Sequence, residues 1–260
     1  MGDRVWPVEE IQLREAGQGL EEWRNEEVVQ LGKWFAVCTG ALGMAVGLSV
    51  AHFIPATVPV WLQIGLCYVA VAMAIVFGMM PHAGRIERIV VGRRAEKLVG
   101  QALRALESDG GRIVHDIRGP IGNIDHVLIH RSGIYAVETK HKSRIKGRWT
   151  HMRFADGKLT VNGSQLKFDP IPQAKRQAGW LYGHMTKDLG LTLKHPVKAV
   201  VLYPGWHVES DRKEGPLQVA SPKLFVSEVT RSRSRELSDK QVSYFFDLLA
   251  KAQSVSTSEG

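Results

Sequence analysis

Residues 123–140, Asn123-Ile-Asp125-His-Val-Leu-Ile-His-Arg-Ser-Gly-Ile-Tyr-Ala-Val-Glu138-Thr-Lys140, read as two strands and a turn. The runs Ile124–His130 and 134–139 are rich in β-branched and aromatic residues, and Arg131-Ser-Gly joins them. Gly133 is free to take a positive φ there, so the segment is a hairpin. Alternate side chains of a strand share a face, which sets Glu138 and Lys140 on the same side. Asp125 lies on the partner strand, and paired strands can bring a carboxylate from each within a few ångströms. Two hard oxygen ligands close together suit Mg²⁺. A lysine beside them can hold the attacking water and offset charge on a phosphate. By spacing alone a plainer alternative stays open, a salt bridge at a strand end, because Glu-x-Lys is a common tripeptide.

Outward from the hairpin, residues 85–107 carry Ile86, Val90, Leu98, Ala102 and Leu106 at nearly helical spacing, and Ser108-Asp-Gly-Gly stops the run. Arg112–Ile117 is β-type. Residues 141–168 read as short strands with turns at Asp156-Gly and Asn162-Gly. A further helix is expected from Asp169 as N-cap with Pro170 first, its apolar face Ala174, Ala178, Leu181, Met185 and Leu189, closed by Gly190. Residues 197–203 read as a buried strand and 224–229 as one more strand. A last helix begins at Ser238, with Gln241 completing a capping box, and the tail from Ser254 is expected to fray. The order α, β, β, β, α, β makes one mixed α/β domain over residues 85–230, followed by a C-terminal helix and tail over 231–260.

At these residues the chain resembles the nuclease-related domain, NERD, a branch of the PD-(D/E)xK nuclease superfamily. The resemblance rests on Gly92-Arg-Arg-Ala-Glu96, Ile124-Asp125-His126, Ser132-Gly133-Ile134-Tyr135, Val137-Glu138-Thr139-Lys140 and Pro170-Ile-Pro-Gln173, in that order. It implies a PD-(D/E)xK-like mixed sheet flanked by helices. It further implies that Asp125 and Glu138 bind Mg²⁺ (or Mn²⁺), with the Thr139 carbonyl as another ligand. Lys140 would position the water, Glu96 would support the metal or its water, and Gln173 would orient Lys140 or a phosphate. Ile124 stands where the superfamily usually has proline. On the residues alone, Glu96 could pair with Arg93 or a neighbour of Lys97, and Gln173 could be a solvated helix residue. Gln177, Trp180 and His184 fall on a stripe near Gln173, which would suit a substrate-facing side.

Lys140, Lys142, Arg144, Lys146 and Arg148 occupy every second position. If extended, they form a cationic face that would track a phosphate backbone, with Trp149 and Phe154 placed to stack on bases. A solvated edge strand carrying cations against aggregation explains them as well. His126, beside Asp125, would touch substrate. The ten histidines show no paired His/Cys metal spacing, and no Ser/His/Asp set stands out.

The 260-residue chain carries a formal charge of +8, unevenly placed. Residues 1–33 hold four basic and eight acidic residues, and residues 34–80 hold no Lys, Arg, Asp or Glu. The remaining 30 basic and 18 acidic residues follow, so this part would attract polyanions. The runs 34–54 and 58–80 are each long enough to cross a bilayer, and Pro55 and Pro59 suit the turn between them. They read as a two-helix transmembrane hairpin behind an acidic segment, 1–33. Arg24 and Lys33 precede it and Arg85, Arg88, Arg93 and Arg94 follow it, so both termini are expected in the cytoplasm at an inner or plasma membrane. A membrane-anchored, metal-dependent nuclease acting on DNA is therefore expected, with a non-catalytic nucleic-acid-binding or assembly module as the alternative. Its expected partners are DNA (RNA as the alternative), the lipid bilayer, and a second copy or a membrane protein.

Overall fold

The computed structural model describes residues 18–51, 59–120, 122–142, 151–210 and 217–258. The chain divides into a unit of residues 20–91 and a unit running from Gly92 to the C-terminus. Helices α1 (Gln18–Ala51) and α2 (Val60–Leu103) build the first, and α2 gives its last turns, from Gly92, to the second. The expected span 58–80 and the expected helix 85–107 are thus one helix. Pro81 removes one backbone donor but does not end it. The Ser108-Asp-Gly-Gly stop acts as expected: Arg104–Asp109 tighten into a 3₁₀ turn and Gly110 takes φ 80°.

Within the first unit an exposed Arg85–Glu27 ion pair of 3.2 Å links the two helices. Among the described residues no helix is long and apolar enough to cross a membrane, so the expected two-helix transmembrane hairpin of residues 34–80 finds no support in the structure. The expected turn at residues 55–58 lies outside the described residues. Trp34, Phe35, Met44, Trp61 and Phe77 are 49–73% exposed.

In the second unit a five-stranded sheet runs in the order β1-β2-β3-β7-β9. Its strands are β1 (Arg112–Ile117), β2 (Ile124–His130), β3 (Gly133–Thr139), β7 (Lys198–Leu202) and β9 (Leu217–Ala220). β1, β2 and β3 pair antiparallel, whereas β3–β7 and β7–β9 are parallel. Helix α3 (Ile171–Gly183) makes the crossover from β3 to β7 and packs on both. Ala174, Ala178 and Leu181 of α3, with Val242, Phe245 and Leu249 of α5 (Asp239–Ser258), bury the face bearing Val127, Ala136 and Val201. Val99 and Leu103 of α2, with Phe225 and Val229 of α4 (Pro222–Arg231), bury the opposite face at Leu128, Val137 and Val200. A sheet covered on both faces needs continuous apolar strands, which is the pattern of β3 and β7.

A smaller sheet, β6-β5-β4-β8, interrupts this frame. It contains β4 (Met152–Ala155), β5 (Lys158–Val161), β6 (Ser164–Gln165) and β8 (Val208–Ser210). Its two tight turns fall at Asp156-Gly157 and Asn162-Gly163, all four residues at positive φ, as the Asp-Gly and Asn-Gly pairs anticipate.

Two expectations fail at the C-terminal end. Residues 224–229 are helix, not strand. Ser221 caps α4 by accepting the Leu224 amide at 3.4 Å, Pro222 occupies the first turn, and Phe225 and Val229 fall four apart on one buried face. The chain beyond Ser254 stays helical to Ser258. The expected capping box is present: the Ser238 amide donates to Gln241 Oε1 at 2.9 Å, and the Gln241 amide to Ser238 Oγ at 3.3 Å.

The β2–β3 turn is locked by buried polar groups. Gly133 takes φ 136°, and a Cβ there would lie 2.9 Å from both Lys198 Nζ and Glu236 Oε2. His130 is hydrogen-bonded to Ser132 Oγ at 2.7 Å and to Asp109 Oδ2 at 3.3 Å, and Ser132 Oγ to the Tyr135 hydroxyl at 2.8 Å. The fold therefore brings Asp109 to a His and a Ser that lie two residues apart, 21 residues further along the chain. With His130 and Ser132 fully enclosed, the set braces the turn rather than meeting a substrate.

Candidate active site

The β2–β3 register pairs His126 with Val137, so one further step sets Asp125 opposite Glu138. Both project to the face covered by α3, as alternation along their strands requires. The Thr139 amide donates to Asp125 Oδ2 at 2.6 Å. Lys140 Nζ forms an ion pair with Glu138 Oε1 and donates to Gln173 Oε1 at 3.1 Å. Gln173 Nε2 donates back to Glu138 Oε1 at 2.8 Å. The first turns of α3 thus close a three-residue ring with the end of β3. Gln173 is not a solvated helix residue, and the Glu138–Lys140 salt bridge exists as one side of that ring.

Glu138 is 3% exposed, and its Oε2 is buried without a hydrogen-bond partner. Leaving a carboxylate oxygen in that state is costly unless something else satisfies it. Burial, then the Glu138 and Glu96 charges, hold the Asp125 carboxyl well above the usual range, partly offset by the Thr139 amide and Lys140. Glu96, half-buried on α2, is pushed up to about 7 by burial, then by Asp116 and Glu138, against the lowering effect of Lys140. The site therefore gathers more negative charge than its one lysine balances.

Asp116 is the member that the sequence did not reveal. It takes φ 53° near the end of β1, is 6% exposed, and accepts the Asn123 side-chain amide at 2.8 Å. Gln253 of α5 donates to the carbonyls of His115 (2.7 Å) and Asp116 (3.1 Å). The one available signal was a charged residue beside the apolar Ile113, Val114 and Ile117 of this strand.

Other expected contacts do not form a substrate surface. His126 has no solvent exposure; its Nδ1 lies 2.8 Å from His115 Nδ1, and burial holds its pKa well below the usual range. Its strand parity explains this, since the neighbour of Asp125 must face the opposite side of the sheet. Phe154 is likewise fully buried, in the core of the small sheet, so it offers no face to a base. Gln177 is buried and donates to the Asn123 carbonyl at 2.9 Å, and Trp180 packs at Gly119 and stacks on His184. That stripe of α3 clamps the β1–β2 loop. Lys142 is exposed, and its carbonyl accepts Trp206 Nε1–H at 2.9 Å. Arg144, Lys146, Arg148 and Trp149 lie outside the described residues.

Among the described residues no group of three or more His, Cys, Asp or Glu side chains is arranged to hold a metal ion. Asp125 and Glu138 are two carboxylates with one unsatisfied oxygen between them. Mg²⁺ is commonly held in this way, by one or two carboxylates with waters and substrate phosphate completing the shell. The donors present fit such an ion.

Residues 91–204 match the family model of NERD, the nuclease-related domain. This span includes Glu96, Asp116, Asp125, Glu138, Thr139, Lys140 and Gln173. No curated protein and no solved structure matches the chain.

Proposed function

We propose that residues 92–260 form a metal-dependent nuclease that hydrolyses phosphodiester bonds of DNA, held at the cytoplasmic face of a membrane by the apolar hairpin of residues 34–80. The observation that carries the nuclease reading is the ring of Glu138, Lys140 and Gln173 beside Asp125, with Glu138 Oε2 buried and unsatisfied. The match to a nuclease-related domain over the same residues supports it.

Asp125, Glu138 and the Thr139 carbonyl would hold Mg²⁺ or Mn²⁺, which when bound supplies Lewis acidity and a template for substrate. Lys140 Nζ, held by Glu138 and Gln173, has a third N–H to give to a water or a phosphate oxygen. An ammonium fixed before the reaction stabilises the charge that develops on phosphorus oxygens without reorganising during the step. Gln173 keeps the lysine aimed. Glu96, with its raised pKa, is able to carry a proton near neutral pH and could pass it to or from a water at the site. The exposed Lys142, with the basic positions after it, would track the strand.

The test is cleavage of supercoiled plasmid by the purified full chain. Nicking that needs Mg²⁺ or Mn²⁺ and stops with EDTA is expected. Binding of DNA without any cleavage under these conditions would leave a non-catalytic module instead.

Membrane anchoring rests on the sequence, on 47 consecutive residues without a charge and basic residues on both flanks of that run. The full chain is expected in the membrane pellet after alkaline carbonate washing, and a chain starting at Gly92 in the supernatant. Release of the full chain by carbonate would remove the anchor from this proposal.

A further inference from the structure

We propose that Phe168 is a stacking platform for an unpaired base of the strand held at this site, an inference that rests on the nuclease reading. Phe168 is 82% exposed, the highest value among the large apolar side chains described in residues 92–258. An apolar ring gains nothing from water, and a nucleobase offers every such ring a sequence-tolerant π-face.

Its position ties it to the chemistry. Phe168 lies three residues before the start of α3, the helix whose Gln173 contacts Lys140 and Glu138. Because α3 follows β3 and leads to the parallel strand β7, its N-terminal end sits at the end of the sheet where Glu138 lies. The neighbouring Asp169 fixes this entry by accepting the Ile171 amide on Oδ1 at 2.9 Å. Burial, then the Asp169 and Glu138 charges, push the Tyr203 hydroxyl pKa up, in keeping with that placement. Lys167 Nζ lies 5.9 Å from the Phe168 ring centroid. A cation over one face of an exposed ring offers a charge for the phosphate and leaves the other face for the base of one nucleotide. Other described aromatics are taken up elsewhere: Phe154, Tyr203 and Trp206 are buried, and Trp180 packs against His184 and Gly119.

The experiment compares two labelled single-stranded oligodeoxynucleotides of equal length, one intact and one abasic throughout, by fluorescence anisotropy with the full chain in EDTA. Phe168→Ala is expected to weaken binding of the intact strand roughly tenfold and leave the abasic strand unchanged, with Phe168→Trp restoring the intact-strand affinity. The ring is on the surface, so thermal unfolding of the variants should match the parent. No loss on the intact strand, or an equal loss on both, overturns the stacking role while leaving plasmid cleavage, and with it the nuclease reading, standing. A parent chain that binds neither strand and cleaves no plasmid overturns both.

Discussion

Lys140→Ala is expected to lower the rate of plasmid cleavage by roughly 10²–10³-fold, the usual cost of losing one fixed charge-stabilising donor. The ammonium is held by Glu138 Oε1 on one side and Gln173 Oε1 on the other, so its position is set before substrate arrives. Arginine should not rescue it, because a planar fork cannot fill the place of a compact ammonium between those two oxygens. Removing the lysine also strands Glu138, which is 3% exposed. Lys140 itself is about one-third exposed, so the stability cost is discounted to about 1–2 kcal/mol. Lys140→Met keeps the aliphatic stem and separates the two effects. A methionine variant that melts near the parent yet fails to nick DNA identifies the amine as chemical. Cleavage at the parent rate by both variants would dismiss Lys140 from the reaction.

The second large effect concerns stability against pH without metal. Glu96 is raised from 4.5 to about 7 in the folded state, and Asp125 moves the same way. A carboxyl whose folded pKa is raised binds its proton more tightly when folded. Its contribution is fully present below the unfolded value and is lost as pH rises through the folded value. In EDTA, melting temperature should therefore fall between about pH 4.5 and pH 7 through Glu96. His126 and His130 act oppositely, since their folded pKa values are lowered from 6.5 and stability declines as pH drops below that value. The informative quantity is thus the difference between the parent and Glu96→Gln, measured by scanning fluorimetry. The variant should gain relative to the parent as pH rises through this window. Mg²⁺ should raise the parent's melting temperature more at pH 8 than at pH 5, because binding requires the ionised carboxylates. A pH-independent difference between the two proteins would contradict the crowded-carboxylate description of the site.

The local half of this architecture was legible in the sequence. The β-branched and aromatic runs Ile124–His130 and 134–139, with Gly133 between, specify a hairpin, and a hairpin's register sets Asp125 opposite Glu138 without help from any other segment. The Asp-Gly and Asn-Gly turns and the Ser238 cap are equally local, because each depends on the φ preference or side-chain reach of adjacent residues. Residues 224–229 show where local reading fails: β-branched residues suit a strand, yet a capping serine and apolar positions four apart let α4 cover the sheet.

Which groups surround the hairpin was a tertiary decision. Gln173 reaches Lys140 across 33 residues, Gln253 reaches Asp116 across 137, and Glu96 arrives on a helix from the other side of the sheet. Such contacts come from the packing of α2, α3 and α5 on two faces, and no sequence period records them. The same packing turned His126 and Phe154 inward and left Phe168 in water. A strand's periodicity says that alternate residues face opposite sides; only the helices laid on those sides decide which of them is covered.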